Sequence, residues 1–386
     1  MSLPFIIVPT IMRDQGETGV QTYFNSIADY LCSKGIGNCI ATPFLHPKWI
    51  ILPIFGIRRI IDPFSGSLSV WWYRYWHYLI LKQVLKKELA SLDTQDVVFF
   101  AQCPLSAKAA LEVRTTKKQK VIMVVHFNVS QADEWMGKGK IKNNSWIYHQ
   151  IKALESEVIP QVDKIIYVSA FMKKLVEANI SEAAFIESAI LPSFVVYPKT
   201  VPNKAVEGDL ISIGTLETRK NHQYLLLVLA EAKKLGKCYS LTLVGDGPQR
   251  ENLEKLAQDL DVYSQVTFTG FQANAASYLP YHRVYVHSAS LDNRPISILE
   301  ALACSLPILA PSVGGIPECF SDGAEGFYWS LDNPKMGAQK LIELLENPDT
   351  YSSMKQAAKN KFDTTFSCEE IGPKLLQHLV AYPDLA

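Results

Sequence analysis

Two carboxylates and a proline occur close together late in the chain, in a pattern that could bind a polyol. Asp292 precedes a stretch that reads as a helix, Pro295 suits its first turn, and Glu300 follows inside it. A helix start offers free amides and the positive end of the helix dipole to an anion. Glu300 would lie roughly 8 Å along the axis from Pro295. The alternative is a solvent-exposed pair, but the flanking Leu299 and Leu302 argue against free exposure of Glu300.

A basic pair lies in an earlier loop, between a predicted strand and a predicted helix. Arg219 and Lys220 occupy the segment 214–221. A planar guanidinium fork and a compact ammonium both suit a diphosphate. The alternative is a solvated cationic loop. The following unit, 241–249, carries a Gly-x-Gly turn without the third glycine of the dinucleotide fingerprint, which disfavours a plain Rossmann dehydrogenase.

Short apolar runs alternate with helix-length amphipathic stretches along the chain, which predicts βα units over parallel sheets. Strands are predicted near 5–9, 38–42, 97–101, 121–126, 164–169 and 185–190, then near 210–214, 240–244, 266–269, 283–287, 307–310 and 326–329. Helices are predicted near 20–34, 79–91, 105–115, 146–159, 171–178, 221–236, 249–260, 296–304 and 335–346, followed by a helical tail. The polar, proline-containing segment 197–204 predicts a linker.

We therefore predict an α/β protein of two Rossmann-like parallel-sheet domains that face each other across a cleft. Residues 1–199 would form the first domain and 200–365 the second. The C-terminal helix, 366–386, would pack back toward the first domain. In open α/β sheets ligands bind beyond the carboxyl ends of the strands, where the loops singled out above would lie.

Composition limits the class of protein and the cellular setting that the sequence allows. The 386 residues are 48% hydrophobic and 20% charged, as in an ordinary folded protein. Residues 1–200 carry 22 Lys and Arg against 16 Asp and Glu, and the remainder carries 16 against 22, so the halves are about +6 and −6. Seven cysteines without a Cys-x-x-Cys pair favour reduced thiols and a cytoplasmic setting. No run reaches the roughly 20 apolar residues that span a bilayer.

The motifs together resemble family 4 glycosyltransferases of the GT-B fold, whose C-terminal domain carries a Glu-x7-Glu signature. Here the signature reads Asp292-x7-Glu300. The resemblance extends to 214–221, to Val244-Gly-Asp-Gly-Pro-Gln249 and to Val266-Thr-Phe-Thr-Gly-Phe271. In the N-terminal half, Glu17-Thr-Gly-Val20 looks like the family's glycine loop.

This resemblance implies transfer of a hexose-type sugar from a nucleotide-diphosphate donor, with retention of anomeric configuration and without a metal. It implies no cofactor, and a glycan or lipid-linked acceptor in the synthesis of surface polysaccharide or glycolipid. A UDP-sugar is favoured over a GDP-sugar as donor. By the same resemblance, residues 1–199 would be the acceptor-side domain and residues 200–365 the domain that binds the nucleotide sugar. No carboxylate is nominated for a covalent intermediate, which favours attack from the face that the diphosphate leaves. The same fold also hosts sugar-nucleotide epimerases and hydrolases, and a non-catalytic sugar-nucleotide-binding protein is a further alternative.

The family's site residues transfer onto this chain position by position. Lys220 matches the lysine that stabilises the leaving diphosphate, whereas Thr215 replaces the usual arginine, and the sequence leaves open whether Arg219 supplies that charge. Asp292, shorter than the family's glutamate by one methylene, would bind donor-sugar hydroxyls, and Glu300 the ribose. The other implied contacts are the sugar or phosphates with Gly19, Val20, Asn293, Arg294, Pro295 and Ile296, the donor sugar with His126, and the nucleobase with Gly270 and Phe271.

Residues 46–81 are rich in Trp and Tyr beside Arg and Lys, which is typical of a membrane-interface surface. The protein would then associate peripherally with the inner face of the membrane, with no nucleic-acid partner. The alternative is that these aromatic residues pack the core of the first domain. Asp259-Leu-Asp261 matches the Asp-x-Asp of metal-dependent transferases, but its place at a predicted helix end indicates a solvated terminus.

Overall fold

The computed structural model describes residues 3–14, 16, 19–196 and 206–380. The chain divides into two compact units, one built from residues 1–192 together with residues from 371 onward, and the other from Ser193–Glu370. The predicted linker 197–204, with the predicted boundary at 199, lies outside the described residues, as do Glu17 and Thr18 of the predicted glycine loop.

The first unit contains a parallel sheet of six described strands in the order β2-β1-β3-β4-β5-β6. The strands are β1 (Phe5–Pro9), β2 (Asn38–Ala41), β3 (Val97–Ala101), β4 (Lys120–Val125), β5 (Lys164–Tyr167) and β6 (Ser188–Ile190). Its helices are α1 (Gly19–Ser33), α2 (Lys48–Ile61), α3 (Gly66–Ala90), α4 (Pro104–Val113), α5 (Gln131–Gly137), α6 (Trp146–Val158) and α7 (Ala170–Asn179). The central strands are buried almost throughout, as expected for a parallel sheet covered on both faces.

The second unit repeats this architecture with six described parallel strands in the order β12-β11-β10-β7-β8-β9. The strands are β7 (Gly208–Ile213), β8 (Leu241–Val244), β9 (Val266–Gly270), β10 (His282–Val286), β11 (Ile308–Pro311) and β12 (Gly326–Trp329). The remaining helices are α8 (His222–Lys234), α9 (Arg250–Asp259), α10 (Ile296–Ala303), α11 (Pro334–Glu346), α12 (Pro348–Thr365) and α13 (Cys368–Val380). The predicted two-domain α/β fold is thus confirmed, and each predicted strand matches an observed one.

The C-terminal helix α13 crosses from the second unit into the first. Gly372 lies against α1, where a side chain at this position would meet the ring of Tyr30, with a Cβ only 2.3 Å from its Cζ. Leu375 and Leu379 on the same helix are buried. The residues from 371 onward therefore group with the first unit rather than with the one that precedes them in sequence.

The sequence reading was wrong about the segment between β2 and β3. Helix α2 was not predicted, because Pro53 lies inside it and apolar residues occur on all its sides. The helix expected near 79–91 instead begins at Gly66, where the Ser65 hydroxyl accepts a hydrogen bond from the Leu68 amide and caps it. The short helix α5 was also missed.

Two further expectations from composition can be compared with the structure. The seven cysteines are all free thiols. Among the described residues no helix combines the length and the apolar character needed to cross a membrane.

Candidate active site

The site in the second unit lies where the strand order of its sheet reverses. From β7 the chain continues to β8 and β9 on one side, whereas β10 lies on the other side of β7 and leads to β11. The loops after β7 and β10 therefore diverge from neighbouring strand ends and leave a crevice, which is the usual ligand site in open α/β sheets. Lys220 follows β7 and Asp292 follows β10, so the sheet brings the two predicted residues together.

An ion pair joins these two loops. Lys220 Nζ lies 2.6 Å from Asp292 Oδ2, and both side chains are largely buried. Arg219 Nη1 is 3.7 Å and His287 Nε2 is 3.4 Å from the same carboxylate oxygen. Burial alone would raise the pKa of Asp292, but the Lys220 charge, the hydrogen bond from His287 and the Arg219 charge outweigh it and hold that pKa well below its usual range. Asp292 is therefore an anion held by cations.

Arg219 makes contacts of its own that fix it beside this pair. Its Nη2 donates to Glu217 Oε1 at 2.8 Å and its Nη1 donates to the Leu291 carbonyl at 3.0 Å. One of its guanidinium edges thus faces a carboxylate on its own loop. Thr215, at the position of the family's arginine, is exposed and lies in the same loop. The structure places a second cation near Lys220, although it comes from a different position of the loop.

Backbone contacts hold the two loops in register. The Ser290 amide donates to the Arg219 carbonyl at 2.9 Å, and the Ser288 hydroxyl donates to the Lys220 carbonyl at 2.9 Å. Asn221 adopts a left-handed conformation with φ of 51°, which turns the chain from the basic pair into α8. The lysine is therefore presented by a backbone that is itself attached to the loop carrying Asp292.

A third loop supports Asp292 from β11. The Gly315 amide donates to the Asp292 carbonyl at 3.0 Å. Gly314 has φ of +59°, and a Cβ at this position would lie 2.1 Å from the same carbonyl oxygen. Only glycine fits this contact. The diglycine of the sequence motif thus serves to bring the chain against Asp292.

The glycines after β8 have a similar role toward the loop after β7. A Cβ on Gly245 would lie 2.1 Å from the Gly214 carbonyl oxygen, and one on Gly247 would lie 2.5 Å from that of Leu216. The Leu216 amide donates to the Asp246 carbonyl at 3.0 Å. These two turns are packed backbone to backbone. This close packing explains the Gly-x-Gly pattern, so the pattern does not require a bound dinucleotide.

Glu300 lies in the second turn of α10, and unlike Asp292 it is not surrounded by cations from the described parts of the chain. Its carboxylate is half-buried and has no hydrogen-bond or ion-pair partner among the residues that the structure describes. Desolvation raises its pKa to about 7. A carboxylate held without partners is ready to accept hydrogen bonds from hydroxyls of a ligand.

The start of α10 offers free donors near these carboxylates. Pro295 is the N-cap and no side chain caps the helix. Within the described part of the chain, the amides of Ile296 and Ser297 have no acceptor. The Asn293 amide, in contrast, donates to its neighbour Asp292 Oδ1 at 3.0 Å. The positive end of this helix therefore faces the predicted anion site with two unpaired donors.

Arg294 is positioned differently from the rest of its segment. Its Nη2 donates to Glu318 Oε2 at 2.6 Å, and its guanidinium lies over the Phe366 ring at 5.8 Å. The side chain is almost fully buried in these contacts. It thus ties the start of α10 to the loop after β11 and to the end of α12, which is a structural arrangement rather than an open ligand contact.

The residues assigned to the nucleobase lie at the end of β9. Gly270 has φ of +71° and its carbonyl accepts from the Gly245 amide at 3.0 Å. Phe271 is 71% exposed. An exposed ring beside a fixed backbone carbonyl could stack on a base and pair with its edge. Asp261 of the Asp-x-Asp segment lies elsewhere, with its side chain 93% exposed and bound to Lys233 at 2.7 Å, as the sequence indicated.

The remaining predicted residues belong to the first unit. Gly19 is the first residue of α1 and Val20 the second. His126 follows β4, its Nε2 lies 3.3 Å from Gln102 Oε1, and its ring meets that of Tyr23 edge-on at 4.5 Å. Burial lowers the pKa of His126 to about 3, so the ring is neutral at physiological pH. All three lie at the carboxyl edge of the first sheet.

His287 and Glu217 are site residues that the sequence reading missed. His287 comes directly after β10 and is fully buried, and burial lowers its pKa despite the Asp292 charge nearby. A histidine at the carboxyl end of a strand, five residues before the acidic motif, was the available signal. Glu217 gave no signal, because its role depends on the side chain of Arg219.

Comparison with known proteins assigns this geometry to a class. The family model "Glycosyl transferases group 1" matches residues 199–361, and the model "Glycosyltransferase Family 4" matches residues 18–184. A crystal structure of Anabaena Alr3699/HepE in complex with UDP and glucose superposes with a TM-score of 0.68 at 15% identity, covering 98% of this chain and 100% of that one. The fold is that of the GT-B glycosyltransferases.

The chain belongs to the group 1 glycosyltransferases. It is 30% identical over 166 residues to the N-acetyl-alpha-D-glucosaminyl L-malate synthase of Bacillus anthracis, covering 43% of this chain and 44% of that protein. It is 26% identical over 240 residues to a GDP-mannose-dependent alpha-(1-6)-phosphatidylinositol monomannoside mannosyltransferase of Mycobacterium tuberculosis, covering 56% of this chain and 61% of that protein. The chain thus spans about half the length of these curated relatives.

Proposed function

We propose that this protein transfers a hexose-type sugar from a nucleotide-diphosphate donor to a glycan or lipid-linked acceptor, with retention of anomeric configuration and without a metal ion. The observation that carries the proposal is the Lys220–Asp292 pair at the point where the strand order reverses. A buried cation there, beside the free amides of Ile296 and Ser297, suits the negative charge that grows on a leaving diphosphate.

In the proposed reaction, the acceptor oxygen replaces the diphosphate oxygen at the anomeric carbon of the sugar. The bond from this carbon to the diphosphate oxygen breaks, the acceptor hydroxyl oxygen bonds to the same face, and the hydroxyl proton passes to the departing phosphate. Lys220 and the start of α10 stabilise the leaving group, with Arg219 as a second cation. Asp292 binds sugar hydroxyls and Glu300 accepts the ribose hydroxyls. Neutral His126 contributes a hydrogen bond to the sugar rather than a charge.

The donor and acceptor are proposed by class. A UDP-sugar is favoured over a GDP-sugar, as in the complex of the Anabaena protein with UDP and glucose, whereas the mycobacterial relative is GDP-mannose-dependent, so both donor classes are tested below. The mycobacterial relative acts on a phosphatidylinositol mannoside, which supports a lipid-linked acceptor. The setting would then be the cytoplasmic face of a membrane, in the synthesis of surface polysaccharide or glycolipid.

Nucleotide release tests this proposal. The full chain is incubated with UDP-glucose, UDP-N-acetylglucosamine, GDP-mannose and ADP-glucose, with and without EDTA, and with a panel of soluble glycosides and polyprenyl-diphosphate-linked glycans. Release that depends on an acceptor and survives EDTA supports transfer. Turnover of the donor without an acceptor indicates an epimerase or hydrolase, and donor binding without turnover indicates a binding protein.

Lys220→Ala tests the central residue. We expect transfer to fall by at least two orders of magnitude, as when one preorganised donor to a developing oxyanion is removed. Lys234→Ala is the matched control, because Lys234 is an exposed lysine on α8 that forms an ion pair with the neighbouring Glu231 on the same helix. Urea unfolding of both variants separates lost chemistry from lost structure. Near-normal transfer by Lys220→Ala would remove the proposed role.

A further inference from the structure

Helix α2 carries an apolar face that points into solvent. Ile51 and Ile54 are buried on one side of the helix, whereas Trp49, Leu52 and Ile60 are 75%, 65% and 68% exposed on the opposite side. Just beyond the helix, Phe64 is 86% exposed. Isolated exposed apolar residues are ordinary, but a group of this size on one helix marks an interaction surface.

A groove with three arginines adjoins this face. It has a volume of about 340 Å³ and is lined by Arg13, Leu52, Phe55, Gly56, Arg58, Arg59 and Asp62. None of the three arginines has a carboxylate within ion-pair distance among the described residues. Asp62 lines the groove and its charge attracts Arg58, but its carboxylate also accepts hydrogen bonds from Lys140 at 2.6 Å and Ser69 at 2.7 Å. With three arginines against one carboxylate that Lys140 already binds, the groove keeps a net positive charge beside an apolar surface.

Two of the arginines are held in place by aromatic rings. Arg58 lies over the Tyr73 ring at 4.5 Å, and Arg13 lies over the Phe44 ring at 5.1 Å. Phe44 in turn stacks on Phe55 of α2 at 5.3 Å. Arginines fixed in this way lose little freedom on binding, and their planar forks match phosphate oxygens.

From this geometry we propose that α2 and its groove form a lipid-binding site, in which the apolar face enters the membrane interface and the three arginines bind the phosphate of an anionic lipid. Tryptophan favours the headgroup level, and cations beside an apolar helix face attract anionic lipid. Charge complementarity thus selects an anionic bilayer as the occupant rather than a protein partner, whose apolar interface would leave the arginines unpaired.

The position of Arg13 connects this site with the catalytic edge of the first unit. Arg13 belongs to the segment between β1 and α1, and its carbonyl accepts a hydrogen bond at 3.0 Å from the side chain of Gln21, the third residue of α1. The loop that carries Arg13 is thereby attached to the first turn of α1, which begins at Gly19. For an acceptor lipid this inference rests on the proposed transfer, whereas binding of an anionic bilayer does not.

The test is sedimentation of the full chain with vesicles of phosphatidylcholine alone, or of phosphatidylcholine and phosphatidylglycerol in equal amounts. We expect binding to the mixed vesicles that weakens as salt rises. The triple variant Arg13→Gln, Arg58→Gln, Arg59→Gln should lose on the order of a hundredfold in partition, at about fivefold per cation. The triple variant Trp49→Ser, Leu52→Ser, Ile60→Ser should also lose binding. Lys117→Gln with Lys118→Gln, a pair of exposed lysines of the same unit, is the control and should bind normally.

Four results would overturn the proposal. One is equally weak binding of the unmodified chain to both vesicles at low salt. Another is an arginine variant that binds like the lysine control. The third is binding of inorganic pyrophosphate at the groove without any vesicle binding, which would identify a site for free phosphates. Size-exclusion chromatography adds an outcome, since a dimer abolished by the apolar variant would assign the face to a second copy.

A parallel measurement separates this proposal from the proposed function. The thermal shift caused by UDP is recorded for each variant. Unchanged shifts with lost vesicle binding locate the defect at the lipid site. Absence of transfer by the unmodified chain, when that chain binds mixed vesicles and the arginine variant does not, would refute the transferase and leave the lipid site standing.

Discussion

Lys220 Nζ lies 2.6 Å from Asp292 Oδ2, and the two residues are 72 positions apart in the chain. Each is the other's principal counter-ion while no ligand is bound. Under the proposed function, a donor diphosphate would compete with Asp292 for the lysine, and a sugar hydroxyl that donates to Asp292 would weaken the hold of this carboxylate on Lys220. Binding of the sugar and of the diphosphate would then be coupled through one ion pair.

Asp292→Asn and Asp292→Glu test this coupling. The amide removes the counter-ion of a mostly buried lysine, so we expect a loss of about 3–5 kcal/mol in the free energy of unfolding, measured in urea. The glutamate keeps the charge on a side chain longer by one methylene. We expect it to retain most of the stability and to change the ratio of kcat/KM between UDP-glucose and UDP-galactose. An unchanged ratio would contradict a contact between Asp292 and the sugar.

Gly314→Ala tests whether the loop after β11 positions Asp292. The added Cβ would meet the Asp292 carbonyl, so the loop must shift and transfer should fall at least tenfold. Gly323→Ala is the control, because Gly323 also has a positive φ, +78°, but nothing lies within 4 Å of its added Cβ. Both variants should lose about 1–2 kcal/mol from backbone strain. Equal activity in the two would show that the contact is not needed.

Glu300→Gln should change how stability depends on pH. Desolvation raises the pKa of Glu300 from its ordinary value to about 7, so between these values the folded protein binds more protons than the unfolded chain. This group therefore lowers the free energy of unfolding as pH rises through that window. Glutamine does not titrate, so the variant should gain stability over the unmodified protein from pH 5 to pH 8. A constant difference across that range would contradict the shifted pKa.

The same carboxyl group should control nucleotide-sugar affinity. Ribose hydroxyls donate more readily to the ionised form, so affinity for a UDP-sugar, whose diphosphate does not titrate near neutrality, should rise as pH passes about 7. Calorimetry in buffers of different ionisation enthalpy should record proton release on binding. In Glu300→Gln both the pH dependence and the proton release should disappear.

His126→Phe separates a hydrogen-bonding role from an acid–base role. Because burial lowers the pKa of His126 to about 3, its ring stays neutral from pH 5.5 to 8. Losing one hydrogen bond should lower kcat/KM about tenfold, without moving any limb of the pH profile. A limb near pH 6.5 that vanishes in this variant would show that the histidine titrates during catalysis.

Much of the architecture could be predicted from the sequence, because buried parallel strands appear as short apolar runs. Helix α2 could not be predicted, because one of its apolar sides faces the core and the other faces solvent. Its sequence therefore lacks the helical alternation of apolar and polar residues. In the candidate site, the glycine turns and the spacing between Asp292 and Glu300 could be recognised from the sequence, because each lies within a short segment. The pairing of Arg294 with Glu318, and of Arg219 with Glu217, depends on side-chain directions that only the packed structure defines.

The backbone contact between Gly245 and Gly214 has a consequence for engineering. The turn after β8 packs backbone to backbone against the loop that presents Lys220, so substitutions at 245 or 247 would also displace this lysine, which is proposed to stabilise the leaving diphosphate. Phe271 lies on exposed chain outside that contact. A library meant to exchange one nucleotide base for another should therefore be built at Phe271 and keep both glycines unchanged.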